Sequence, residues 1–200
     1  MVRNITGLLG SGSSQDKKKK EQEPDRETCI ACGASLVNSS LFASHRLCQT
    51  CRFHYSLTAR ERIDSLADPD TFRELNPRLT SLDPLSFSTR ISYRQRILSD
   101  QRRTGLTEAV VSGRCDIGGS PVVLVVMDFG FMGGSMGCVV GEKIALAIEH
   151  AAKRKSPIVV VVTSGGARFQ EGVLSLMQMA KTSMATGQLE AKGLPFISVL

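Results

Sequence analysis

The chain has 200 residues, of which 42% are hydrophobic and 22% are charged, and its formal net charge is +6. This is the composition of a globular protein that can bury a core, and no run of eighteen apolar residues predicts a membrane-spanning helix, so we expect no membrane contact. The excess of cations favours an anionic partner: a phosphorylated cofactor, an acidic carrier protein or nucleic acid.

The first 27 residues are rich in glycine, serine and charge, and they predict a flexible tail. We interpret its lysine run, Lys17–Lys20, as a solvated stretch in preference to an anion-binding arm. The segment lacks the apolar core of a secretory signal. The cysteines further along are therefore expected to stay reduced, which predicts a cytoplasmic protein.

Residues 28–56 contain two Cys-x-x-Cys pairs, Cys29 with Cys32 and Cys48 with Cys51, separated by fifteen residues. Each pair places two sulfurs at the tip of one tight turn, and two such turns can close a tetrahedron around a zinc ion. Because all four positions are cysteine, no ligand position is left for water. The spacing therefore predicts a structural zinc ribbon whose folding depends on the metal.

Nucleic-acid binding is an alternative function for this ribbon, because basic side chains surround it. They are Arg46, Arg52, Arg60 and Arg62. Only Phe53 and Tyr55 offer rings on which bases can stack, which makes this alternative the weaker one. His45 and His54 are interpreted as surface residues, not as metal ligands.

Residues 57–106 predict a helical and irregular connector. Thr58 and Glu61 form a capping box at the start of a short helix. Three prolines within 68–90 predict an irregular surface segment, and a basic helix that follows is closed by Gly105.

Residues 107–200 have the pattern of an α/β domain: strand, strand, helix, strand, helix, strand. The first two strands flank a turn at Gly118-Gly119. The first helix has a one-sided apolar face consisting of Val140, Ile144, Ala147, Ile148 and Ala151. The second helix is predicted to be largely buried, and the final run, LPFISVL, to be a core strand. Because a core strand makes a poor domain end, we expect the fold to be completed by further chain or by another subunit.

Two glycine-rich loops, at residues 130–137 and 164–172, follow strands of this domain. Strand-to-helix turns are where α/β folds place ligands, and bare glycines let backbone N–H groups converge on an oxyanion. We therefore predict that the amides of Gly165 and Gly166 hold a developing negative charge. A tight turn that needs glycine for geometry alone is the alternative explanation.

Two other motifs in this region point to different enzymes. Gly133 to Gly137 fits G-x-S-x-G, which would make Ser135 the nucleophile of a serine hydrolase. Such an enzyme needs a later acid and histidine, and the histidine that follows, His150, lies within a predicted helix. A phosphate-binding P-loop is rejected, because Lys143 is followed by isoleucine and not by serine or threonine.

Five stretches together resemble the β subunit of the bacterial and plastid acetyl-coenzyme A carboxylase carboxyltransferase: FMGGSMGCVVGEK, SGGARFQEGVLSLMQMAKTS, GLPFISVL, ARERIDSLADPDTF and the four-cysteine ribbon. The resemblance runs from about Cys29 to Leu200. It implies an α/β crotonase fold, a ClpP/crotonase-like superhelix of ββα units, preceded by the zinc ribbon and lacking its C-terminal part.

The resemblance also implies the reaction and its participants. A carboxyl group would pass from carboxybiotin, held on a biotin carboxyl carrier protein, to acetyl-CoA, giving malonyl-CoA for fatty-acid biosynthesis. The implied partners are a carboxyltransferase α subunit of like fold, in an α2β2 assembly, together with biotin carboxylase. The implied metal is structural Zn²⁺.

The family's site residues carry over to this chain position by position. The zinc ligands would be Cys29, Cys32, Cys48 and Cys51; the oxyanion donors, Gly165 and Gly166; and the lining of the same pocket, Gly133, Gly134, Ser135, Met136 and Gly137. Arg168 is a candidate either for binding the CoA phosphates or for ordering its loop. The chain departs from the family pattern at Cys138, Phe169, Met184 and Thr186, which affects the expected shape of the pocket but removes no proposed donor.

Overall fold

A computed structural model of the chain describes residues 27–200. The predicted flexible tail, with its lysine run, lies outside the described residues except for its last position. The helices are α1 (Ser40–His45), α2 (Ala59–Leu66), α3 (Tyr93–Thr104), α4 (Cys138–Arg154) and α5 (Val173–Glu190). The strands are β1 (Arg73–Leu75), β2 (Val110–Ile117), β3 (Ser120–Met127), β4 (Ile158–Val161) and β5 (Phe196–Val199). Single 3₁₀ turns cover Met132–Gly134 and Phe169–Glu171.

The strands form one mixed sheet in the order β1-β2-β3-β4-β5. β2 pairs antiparallel with both β1 and β3, whereas β3, β4 and β5 are parallel to one another and are connected by α4 and α5. The β2–β3 hairpin turns at Gly118 and Gly119, whose φ angles of 56° and 75° suit glycine. The predicted α/β organisation with crossover helices is confirmed.

The main core lies between the sheet and its helices. α4 buries the apolar face predicted from its helical period, and the middle of β3 is buried on both faces. Side chains from the segment before β2 belong to the same core: Ala59, Ile63, Tyr93, Ile97 and Leu106. The predicted boundaries at 28–56, 57–106 and 107–200 remain predictions.

Local signals placed two helix ends correctly. Thr58 and Glu61 form the predicted capping box, and Gly105 closes α3 in the left-handed conformation. The short strand β1 was not predicted, because it lies in the proline-rich segment and pairs with β2 from about forty positions away.

Two burial predictions were wrong. α5 buries only Ser175, Gln178, Ala185 and Leu189, and all four residues of β5 are exposed. The physical reason is that α5 packs on α4 through small and polar residues, while β5 pairs with β4 alone among the described strands. The apolar side chains that suggested burial point outward: Val173, Leu176, Met177, Met179 and Met184 on α5, and Phe196, Ile197 and Val199 on β5.

The cysteine-rich segment forms a second, smaller core of Cys29, Leu36 and Cys48. Phe42 and Tyr55 pack against it edge to face, with ring centroids 5.3 Å apart. Such a core is far smaller than that of the α/β domain. Across residues 27–200, no helix combines the length and the apolarity needed to cross a bilayer.

Candidate active site and metal centre

The four cysteines of the ribbon converge as predicted. Their sulfur atoms all lie within 4.8 Å of one another. The Sγ atoms of Cys29 and Cys51 are 3.7 Å apart, and so are those of Cys32 and Cys48. A tetrahedron with metal–sulfur bonds of about 2.3 Å has edges of about 3.8 Å, so the cluster has the size of a four-thiolate metal site.

The two Cys-x-x-Cys turns have the same backbone geometry. The amide of Gly33 donates to the carbonyl of Cys29 at 2.8 Å, and the amide of Arg52 donates to that of Cys48 at 2.9 Å. Both donors have positive φ angles, 70° and 61°. The backbone therefore folds back after each pair, which points both sulfurs of a pair toward the same centre.

Hydrogen bonding favours the thiolate form at one of the four cysteines. A hydrogen bond from the Tyr55 hydroxyl, more than any other contact, lowers the pKa of Cys29 to about 6. The same hydroxyl accepts the amide of Ile30 at 2.9 Å. His45, by contrast, bonds to its neighbour Ser44 at 2.7 Å, and neither it nor His54 belongs to the cluster.

Two of the four arginines around the ribbon form ion pairs with carboxylates. Arg46 contacts Glu61 at 2.5 Å, and Arg60 contacts Glu74 at 2.6 Å. Because these two guanidinium groups are paired with carboxylates, less free positive charge remains for a nucleic-acid backbone.

The two glycine-rich loops lie side by side where β3 and β4 end. Met136 and Ala167 form a parallel bridge between them: the amide of Met136 donates to the carbonyl of Gly166 at 2.8 Å, and the amide of Arg168 donates to that of Met136 at 2.9 Å. The structure thus brings the predicted pocket loop and the predicted donor loop into one site.

The predicted donors Gly165 and Gly166 differ in how their amides are used. The Gly165 amide donates to the carbonyl of Gly133 at 2.8 Å, a backbone bond between the loops. The Gly166 amide donates to the rotatable hydroxyl of Ser164 at 3.1 Å. Gly166 is exposed with a φ of 112°, and a Cβ there would meet nothing within 4 Å. Gly165 is exposed as well, so the two donors differ in that only the Gly166 amide is free of a backbone hydrogen bond.

Two glycines of the first loop are needed for close packing. A Cβ on Gly134 would collide with the carbonyl oxygen of Thr163, and one on Gly137 would lie 2.6 Å from Oε1 of Glu171. Both glycines are buried. Their contribution to the predicted pocket is to let the two loops approach, while Gly133, Ser135 and Met136 are partly accessible.

Arg168 connects the loops through a fully buried side chain. Its Nη2 donates to Oε1 of Glu108 and to the carbonyl of Ser135, both at 2.7 Å, and its Nε donates to Oγ of Ser135 at 3.1 Å. Its Nη1 donates to Ser81 and to Tyr93, both at 3.2 Å. Because the side chain is 0% exposed, its contacts favour loop ordering over binding of CoA phosphates.

A second carboxylate completes this network. Glu171 accepts the Tyr93 hydroxyl at 2.5 Å and the amide of Cys138 at 2.6 Å, and it lies 3.9 Å from Arg168. Burial opposes its charge, but hydrogen bonds from Cys138 and Tyr93 outweigh burial and lower the pKa of Glu171. Burial likewise opposes the charge of Arg168, and the facing Glu108 raises its pKa above the ordinary value. Both groups therefore stay charged and paired.

Sequence reasoning missed the partners of Arg168: Ser81, Tyr93, Glu108 and Glu171. The sequence did contain one indication of Glu108 and Glu171: each is a charged residue next to an apolar strand or a glycine-rich turn. The pairing itself was not predictable, since Glu108 is 60 positions from Arg168 in the sequence.

The positions expected to depart from the family pattern do not interrupt this network. Phe169 is exposed and packs edge to face on Phe87, with centroids 5.4 Å apart. Cys138 contributes its backbone amide to Glu171, so its side chain is not needed for that bond. Met184 lies on the exposed face of α5.

Replacing Tyr93 with phenylalanine is expected to lower the free energy of unfolding by about 1–3 kcal/mol. The hydroxyl bridges Glu171 and Arg168 in the buried network, so its loss leaves both groups with one partner fewer. Urea denaturation measures the change. Ser65→Ala, which removes an exposed hydroxyl bonded only to a helix carbonyl, serves as the control. Equal stability of Tyr93→Phe and the wild-type chain would contradict the assignment.

The serine-hydrolase alternative requires a general base next to the Ser135 hydroxyl, and the structure places Arg168 there instead. Its Oγ accepts a hydrogen bond from Arg168, a group that stays protonated and so takes up no proton. Ser135 has φ −63° and ψ 135°, which are ordinary extended angles and not those of a strained nucleophile turn. Among residues 27–200, no histidine contacts it: His150 lies on α4, beside a separate cleft at the opposite ends of the strands.

Comparison with known proteins gives the chain clear relatives. A family model described as "Carboxyl transferase domain" matches residues 54–200. "Acetyl-coenzyme A carboxylase carboxyl transferase subunit beta" from Thermus thermophilus is 49% identical over 86% of this chain and 60% of its own length. The protein of the same name from Fusobacterium nucleatum is 47% identical over 99% of this chain and 69% of its own length. The chain thus spans about 60% to 69% of the length of these two relatives.

Solved structures show the same fold. A transcarboxylase 12S structure with methylmalonyl-coenzyme A bound superposes with a TM-score of 0.58 at 31% identity, covering 72% of this chain and 26% of that one. The MdcD-MdcE hetero-dimer of Pseudomonas malonate decarboxylase gives a TM-score of 0.53 at 29% identity, covering 72% of this chain and 52% of that one.

Proposed function

Because this chain belongs to the carboxyl transferase domain family, we propose that it acts as the carboxyltransferase β subunit of an acetyl-CoA carboxylase. The reaction is transfer of a carboxyl group from carboxybiotin, on a biotin carboxyl carrier protein, to acetyl-CoA, giving malonyl-CoA for fatty-acid biosynthesis. The observation that carries the proposal is the 49% identity, over 172 residues, to a relative of that name.

Gly166 supplies the first donor to the thioester oxygen of acetyl-CoA. Deprotonation of the acetyl group places negative charge on that oxygen, and a donor fixed at that position stabilises it. Gly166 is an exposed residue whose amide donates to the Ser164 hydroxyl at 3.1 Å, and this hydroxyl can rotate away when the substrate oxygen replaces it.

Gly165 supplies a second donor only if its bond to Gly133 is released. That bond is 2.8 Å long and joins the two loops, so its release requires a small separation of the loops. A substrate that inserts between them would replace one hydrogen bond with another, which keeps the cost low.

Among residues 27–200, those around the loops supply no general base for this reaction. Glu108, Glu171 and Tyr93 are buried and bonded to one another or to Arg168, so they are not free to accept a substrate proton. Biotin, when delivered on its carrier, supplies the carboxyl group and the proton acceptor. The contribution of this chain is to hold the thioester, to keep the loops in register through Arg168 and to exclude water.

We assign the cysteine cluster to a structural zinc ion. The sulfur–sulfur distances of 3.7 Å fit four thiolates around one metal, and an all-cysteine set leaves no position for a substrate. The ion would hold the two Cys-x-x-Cys turns together and so stabilise the small core of the ribbon. A cytoplasmic location suits such a site, because its thiols must stay reduced.

The exposed apolar face of α5 and β5 is proposed to contact a carboxyltransferase α subunit within an α2β2 assembly. A large exposed apolar surface marks an interaction site, and three of its residues are methionines, whose flexible side chains adapt to a partner. The malonate decarboxylase structure with the same fold is itself a hetero-dimer. The carrier protein and biotin carboxylase complete the proposed enzyme.

The reaction is tested by measuring malonyl-CoA formation with the α subunit and a carboxylated carrier protein. Ser135→Ala is expected to keep the rate within about threefold, because it removes one hydrogen bond of a many-membered network and no reacting group. A serine-directed fluorophosphonate should leave the chain unlabelled. Absence of malonyl-CoA formation by the wild-type assembly would contradict the proposed function, and labelling that Ser135→Ala abolishes would support the hydrolase instead.

A further inference from the structure

A cleft of about 650 Å³ lies at the opposite ends of the strands from the glycine-rich loops. One wall is formed by the β2–β3 hairpin and the other by the turn that joins α4 to β4. The hydroxyl of Ser156 donates to the carbonyl of Pro121 at 3.0 Å, and the amide of Val123 donates to that of Pro157 at 3.0 Å. Because these bonds join the two walls, the cleft is preformed, and its volume suits a small organic ligand.

Four cationic side chains line this cleft: Arg73, Arg114, Arg154 and Lys155. The single carboxylate in the lining is Asp116. Within residues 27–200, none of the four cations forms an ion pair. Arg73 donates only to the backbone carbonyls of Asp70 and Phe72.

Two of these arginines occupy directly paired positions on neighbouring strands. Arg73 of β1 is opposite Arg114 of β2 in the antiparallel register. Like charges in this arrangement repel and destabilise the pair of strands. The dipole at the carboxyl end of α4 explains Arg154 and Lys155, but it does not explain two arginines facing each other across a sheet.

The positive potential acts on His150, which lines the same cleft. Burial and the nearby cations Arg154, Arg114 and Lys153 lower the pKa of this imidazole. The floor beneath the paired arginines is apolar at Val123, which is buried and pairs with Arg114 in the strand register, so the two side chains lie on the same face of the sheet. The cleft therefore combines a cationic rim with an apolar base.

We propose that this cleft binds an organic phosphate, with the phosphate held by Arg73, Arg114 and Arg154 and the organic body placed over Val123. Guanidinium groups match phosphate oxygens in pairs, which makes arginine the preferred residue for such ligands. An anion at this position would also relieve the repulsion between the two paired arginines. The site is separate from the glycine-rich loops and does not depend on the proposed carboxyl transfer.

The proposal is tested with phenyl phosphate, inorganic phosphate and phenol as probes of the full chain loaded with zinc. Phenyl phosphate is expected to bind with a dissociation constant of about 1 mM or below, more tightly than inorganic phosphate or phenol, because it uses both rim and floor. Histidine NMR signals report the location: His150 should shift, while His45 and His54 of the ribbon should not.

Two sets of variants distinguish specific binding in the cleft from nonspecific attraction of phosphate to a basic protein. Arg114→Gln combined with Arg154→Gln, both exposed positions, should weaken phenyl phosphate binding by about tenfold or more. Arg94→Gln, an exposed arginine on α3 outside the cleft, should leave the affinity unchanged. Equal affinity for phenyl phosphate and phenol, an unshifted His150, or the same loss in Arg94→Gln would overturn the proposal.

Discussion

Replacing Gly166 with valine is expected to lower kcat/KM for malonyl-CoA formation by at least about 10²-fold, the typical cost of losing one oxyanion donor. Gly166 has a φ of 112°, which a β-branched residue does not hold without strain. The backbone would rotate to relieve that strain, and the amide would leave the position that faces the thioester oxygen. The branched side chain would also fill the open space in front of the loop.

Gly193→Val is the matched control for this substitution. Gly193 also has a positive φ, 66°, and open space at its Cβ, but it lies in the turn between α5 and β5, away from the glycine-rich loops. Both variants should lose similar stability, while only Gly166→Val should lose activity. Activity of Gly166→Val equal to that of Gly193→Val, in a folded assembly, would remove Gly166 from the catalytic site.

Cys48→Ser is expected to abolish zinc binding and to unfold the ribbon while the α/β domain stays folded. Metal binding supplies about 10–16 kcal/mol to small sites of this kind, more than the small ribbon core can replace. Cys48 is fully buried at the centre of both the cluster and that core. Metal analysis and amide hydrogen exchange over residues 28–56 measure the two effects.

Cys138→Ser is the control for the loss of a thiol. Cys138 lies at the start of α4, outside the cluster, so this variant should keep its zinc and the protection of the ribbon. Full metal content and unchanged hydrogen exchange in Cys48→Ser would show that the cluster does not hold the ion.

Features set by local spacing were predictable from the sequence. The two Cys-x-x-Cys pairs, the capping box at Thr58 and the Gly105 cap each involve residues within a few positions of one another, so a short pattern determines them. The crotonase-like α/β fold and the carboxyltransferase family were also predicted correctly, because the motifs that carry them are long. The buried face of α4 was predicted from the helical spacing of its apolar residues, which is also a local pattern.

Features that depend on distant partners were not predictable. The apolar residues of α5 and β5 marked a surface to be covered, but they did not show that none of the described residues would cover it. The role of Arg168 stayed open because its carboxylate partner, Glu108, lies on another element. The unequal use of the Gly165 and Gly166 amides likewise depends on Gly133 and Ser164, whose positions follow only from the packed loops.

The most direct measurement is the structure of the assembled transferase with a non-reactive acetyl-CoA analogue. We expect the thioester oxygen at about 2.7–3.1 Å from the Gly166 nitrogen, with the Ser164 hydroxyl turned away from it. A thioester bound elsewhere, with the Gly166 amide still donating to Ser164, would contradict the claim that this turn holds the reacting oxygen.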